Sequence, residues 1–118
     1  MKILAALVLL SMAGNVCATE GFAFSGNSLK DYCDLDDTYA SGFCSGYITG
    51  VIHGVTSEAI ANKKAHSTAG CIPNTVTIEQ GTLIVIKFLN DNPELLHLAA
   101  TRLITSAMSE AFPCDKEQ

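Results

Sequence analysis

The chain has 118 residues, 48% of them hydrophobic, and a formal net charge of −5. That length admits one domain, and the acidic balance excludes a nucleic-acid backbone as partner, because phosphates would repel it. The same charge suits solubility or a basic protein partner.

The N-terminus reads as an export signal. Lys2 is a basic start, Ile3 to Met12 an apolar core, and Val16-Cys17-Ala18 a cleavage site. The apolar run is too short to span a bilayer, and Val16 is a poor residue before a lipidated cysteine. Cleavage after Ala18 leaves a domain of residues 19–118, with six basic against twelve acidic residues and a net charge of −6. It also leaves an even cysteine set: Cys33, Cys44, Cys71 and Cys114. Export and four cysteines predict two disulfides. Zinc is the weaker alternative, since there is no CxxC and no Cys-His pair at ligand spacing.

After an extended lead-in, Ser28 is a candidate N-cap for a short helix from Leu29 to Leu35. Asp31, Asp34, Asp36 and Asp37 crowd its end, and Asp36 or Asp37 can cap the next helix. That helix is predicted from Thr38 to Asn62, with Ile48, Val51, Ile52, Val55 and Ala59 on one face and Tyr39, Phe43 and Tyr47 on a second line. Its glycines, Gly42, Gly46, Gly50 and Gly54, recur every fourth residue. A stripe without side chains lets another backbone come close. Gly46 and Gly50 are therefore expected to pack against a neighbouring helix, within the bundle or across a dimer.

The polar stretch Asn62 to Asn74 is a loop pinned by Cys71. A connection this long in a small domain is often functional. Lys63, Lys64, His66 and Ser67 are the candidate partner-binding residues in it. Thr77-Ile-Glu-Gln80 fits a capping box and opens a third helix to about Asn90. Its β-branched composition favours a strand on propensity alone, but no second strand exists to pair with it. Asn92-Pro93-Glu94 predicts the start of a fourth helix that runs to about Phe112, before Pro113. The expected fold is all-α, a small up-and-down bundle of about four helices with two disulfides. In that topology Cys71 and the end of helix four meet at one end. Cys71 then pairs with Cys114, and Cys33 with Cys44.

No catalytic constellation emerges. Disulfides consume the thiols that Cys-His catalysis needs. GFCSG is not a GxSxG elbow, and His53, His66 and His97 lie on three separate elements. No cofactor, metal or membrane insertion is expected.

One resemblance is informative. Cys44-Ser-Gly-Tyr-Ile-Thr-Gly50-Val is followed by Cys71-Ile-Pro73, Gln80, Phe88-Leu89, Asn92-Pro93-Glu94 and Ala111-Phe-Pro-Cys114. This ordered set resembles the Rap/Tai family of immunity proteins, which protect against type VI secretion peptidoglycan amidases. The similarity covers about Leu29 to Cys114. It implies a periplasmic helical protein, often a homodimer, that occludes the cleft of an amidase toxin and is not itself an enzyme. The chain departs from the family pattern after Gly50-Val, where Ile52-His53 replaces a frequent acid. A small periplasmic chaperone or stress-protective protein is the alternative that the residues also allow.

Overall fold

A computed structural model describes residues 24–115. The expected leader and cleavage site lie outside the described residues. Four helices follow in order: α1 (Gly26–Asp34), α2 (Thr38–Ala61), α3 (Ile78–Asp91) and α4 (Ala100–Ala111), with a 3₁₀ turn at Pro93–Leu95 before α4. The all-α class, the helix number and the crosslinks match expectation. Cys33 is bonded to Cys44 and Cys71 to Cys114.

Local chemistry sets the helix starts. Asp37 accepts from the Ala40 backbone N–H at 2.8 Å and caps α2. Thr77 accepts from Gln80 N–H at 3.1 Å and caps α3. The α3 segment is helical despite its β-branched content, because Gly81, Val85 and Leu89 fall on one buried stripe. Packing overrides propensity there.

Two boundaries differ from expectation. The N-cap of α1 is Ser25, not Ser28; Ser28 donates its N–H to Ser25 Oγ at 3.2 Å. The fourth helix does not run on from Asn92. Its backbone is diverted between Leu96 and Ala99, where the lead-in segment crosses it. Gly26 N–H donates to Leu98 O at 2.9 Å, Asn27 N–H to Leu96 O at 2.8 Å, and Ala100 N–H to Phe24 O at 2.8 Å. Carbonyls spent on a tertiary contact are not available to a continuing helix. Gly26 allows this crossing, since a Cβ there would lie 3.0 Å from Leu96 O and 2.3 Å from Leu103 Cδ1.

The core is apolar throughout among the described residues. Leu29, Ile48, Val85, Leu89, Leu103, Ile104 and Met108 are its largest fully buried side chains. Each contributes roughly 1.5–3 kcal/mol by burial. Beside it, Phe24, Tyr32, Phe43 and Tyr47 form an aromatic cluster that holds the lead-in against α1 and α2. Burial raises the Tyr47 pKa. Tyr39, on the same sequence line, is left 75% exposed.

The expectation that the glycine stripe packs against a helix within the bundle requires a correction. Among the described residues, Gly42, Gly46, Gly50 and Gly54 have no atom within 4 Å of a would-be Cβ apart from the adjoining backbone of their own helix. No helix of the bundle packs on them. The buried residues of α2 are Ala40, Cys44, Ile48 and Ala59, and Gly46 and Gly50 lie roughly half a turn away from that face. Combining Gly46→Ala with Gly50→Ala is therefore expected to raise the stability of the monomer by about 1–2 kcal/mol, the helix-propensity gain at open sites. A thermal melt at a dilution where the chain is monomeric checks this; a lowered midpoint would mean that a segment of the same chain packs on the stripe. No described helix is long and apolar enough to cross a membrane.

Candidate functional site

The connection 62–77 joins α2 to α3 and holds all four residues singled out for partner binding. It begins at the end of α2. Lys63 N–H donates to Ile60 O at 3.1 Å and Lys64 N–H to Ala59 O at 2.9 Å. This is the paired bonding of a Schellman motif, with Lys63 in the position that glycine usually takes. Lys63 has φ of 52° and is the one non-glycine residue with positive φ among those described. Holding a side chain there costs roughly 1 kcal/mol or more.

Beyond this cap the loop is closely tied down. Lys64 Nζ reaches Glu58 Oε1 at 2.6 Å, and Asn62 Nδ2 reaches the same oxygen at 2.9 Å. The Lys64 hydrogen bond, with a smaller share from Asn62, holds the Glu58 carboxyl below the usual range. Ser67 Oγ accepts from Ala69 N–H at 3.2 Å, and Gly70 N–H donates to Ser67 O at 3.1 Å, closing a tight turn. Ala69 is fully buried. Gly70 has φ of 84°, and a Cβ on it would lie 2.4 Å from Phe112 O and 2.8 Å from Ser109 Cα. Cys71 N–H then donates to Phe112 O at 2.9 Å, next to the Cys71–Cys114 bond. The turn is thus docked onto the last turn of α4.

The four candidates are brought to one end of the bundle in different states. Lys63 is exposed and makes no ion pair among the described residues. Lys64 is engaged with Glu58. His66 turns its Nδ1 to Cys71 Sγ at 3.2 Å. Ser67 is half-buried in the turn. Sequence reasoning missed Ala69, Gly70 and Phe112, which fix the loop's position; the sole signal was a glycine directly before a cysteine. His66, Cys71 and Cys114 bring three ligand atoms within 4.8 Å of one another. Both sulfurs are spent in a disulfide, so the thiolates that a zinc ion requires are absent. A cleft of about 250 Å³ runs between α2 and this connection, lined by Ile52, His53, Thr56, Ile72, Ile78 and Met108 among others.

This helix order, with its two crosslinks, coincides with the reach of a family model: residues 25–114 match that of the Rap1a immunity proteins. The chain belongs to the Rap1a immunity protein family. The match opens at Ser25, the cap of α1, and closes at Cys114, so the Rap1a domain and the described fold are nearly coextensive. Membership places the chain among immunity proteins, which implies a toxin as partner. No curated protein and no solved structure matches the chain.

Proposed function

We propose that this Rap1a protein is exported to the periplasm, with cleavage after Ala18, and there binds a type VI secretion peptidoglycan amidase and blocks the cleft that holds its nucleophilic cysteine. It acts by occlusion and performs no chemistry of its own. The family match over 25–114 carries this reading. The rigid 62–77 connection supports it, because a loop already ordered by Gly70, Ala69 and the Cys71–Cys114 bond loses little entropy on binding. Lys63 is the side chain best placed to enter a cleft. It stands exposed on a strained cap where glycine is cheaper, and strain of that kind is retained where a side chain has a task. The exposed stripe at Gly46 and Gly50 supports a homodimer, in which the backbone of a second copy approaches α2 closely.

Lys63→Gly separates the two roles of this position. The variant is expected to gain about 1 kcal/mol in stability and to lose roughly tenfold in affinity for the amidase. Thermal melts and titration calorimetry read the two effects. Gained stability with unchanged affinity would remove Lys63 from the interface. The function itself is tested by recovering tagged protein from the periplasm of cells that also hold the amidase. A stable complex is expected, and recovery of the protein without bound amidase counts against the proposal.

A further inference from the structure

The two disulfides stand in different surroundings. Cys44 is 2% exposed and lies within the hydrophobic core, with Cys33 half-buried beside it. Cys71 is exposed and Cys114 half-exposed, between the exposed Pro113 and Asp115. Among the described residues, only the second bond has an imidazole against it: His66 Nδ1 lies 3.2 Å from Cys71 Sγ. Lys64, His66 and Cys71 also line a common surface depression of about 250 Å³.

We propose that Cys71–Cys114 is a thiol–disulfide exchange site, with a small thiol or a thioredoxin-like dithiol as its reaction partner and Cys71 as the leaving sulfur. The attacking thiolate forms a bond to Cys114 Sγ as the Cys71–Cys114 bond breaks. The electron pair of that bond leaves on Cys71 Sγ. His66, with its proton on Nδ1, donates to that thiolate. A thiolate stabilised in this way is the better leaving group. The second thiol of a dithiol then attacks its own mixed sulfur and releases Cys114 as a thiolate. The dithiol is oxidised to a disulfide, and the protein has gained two electrons. Cys33–Cys44 reacts more slowly, because attack at the half-buried Cys33 would expel a thiolate at Cys44, which lies in the apolar core with no donor against it. The proposal is independent of which toxin the protein binds, and of whether it binds one.

The test is timed reduction of the folded full chain by dithiothreitol, with alkylation and peptide mapping. Cys71 and Cys114 are expected to be labelled at least ~10-fold faster than Cys33 and Cys44, and His66→Leu to slow that labelling about fivefold while the Cys33–Cys44 rate stays the same. His66 is exposed, so the substitution leaves the core untouched. Circular dichroism confirms that each sample is folded. Equal rates for the two bonds, or a His66→Leu rate equal to the parent's, overturns the proposal. Glutathione then assigns the leaving sulfur. The mixed disulfide is expected on Cys114, and finding it on Cys71 overturns the assignment.

Discussion

Gly70→Val lowers the thermal midpoint by about 15–30 °C. Two costs add at this residue. Its φ of 84° is a left-handed conformation that a β-branched side chain resists. A Cβ there also meets Phe112 O at 2.4 Å and Ser109 Cα at 2.8 Å, and both are backbone atoms that no rotamer change can move aside. Strain and overpacking together amount to roughly 4 kcal/mol, and a domain of this size loses about 4–8 °C per kcal/mol. The consequence extends beyond the residue. Pushing Gly70 away from α4 breaks the Cys71 N–H bond to Phe112 O and releases Ala69 from the core. The loop then loses its preset position, and the proposed amidase inhibition is expected to fall with stability. A midpoint within ~3 °C of the parent's would mean that the turn is not docked on α4 as described.

Replacing Cys71 and Cys114 together by serine is expected to destabilise the protein by about 4 kcal/mol, since the bond closes a span of 43 residues and long loops cost the unfolded chain most when crosslinked. Alanine at Cys33 and Cys44, which are only 11 residues apart, costs about 3 kcal/mol on the same reasoning. Denaturant melts measure both. The serine variant is expected to keep its helices at room temperature, because the core of Leu29, Val85, Leu103 and Ile104 contains neither cysteine. Equal or reversed losses for the two pairs would show that chain entropy does not set their contributions.

Much of the fold is written locally. Asp37 and Thr77 each cap the helix that follows them, and the two disulfides are the pairs an up-and-down bundle brings together. What escapes a reading of the sequence is set by contacts between distant segments. Nothing near Leu96 announces that its carbonyl will accept from Asn27, so the break before α4 has no local signal. Glycines mislead for the same reason. The conspicuous periodic ones, Gly46 and Gly50, face open space, whereas the isolated Gly26 and Gly70 sit where a Cβ has no room. Crowding belongs to the neighbours, and the neighbours are remote in sequence. The candidate site is legible to the same degree: the loop stands out by length and polarity, but the division of labour among Lys63, Lys64, His66 and Ser67 depends on Glu58 and on the docked turn.

The central claim is that a preformed surface of this Rap1a protein plugs a peptidoglycan amidase. Titrating purified mature protein into a fixed amount of the amidase, with peptidoglycan turnover as readout, tests it most directly. The account predicts a linear fall in activity that reaches zero at one immunity chain per enzyme. Full activity at a severalfold excess of the protein would contradict it.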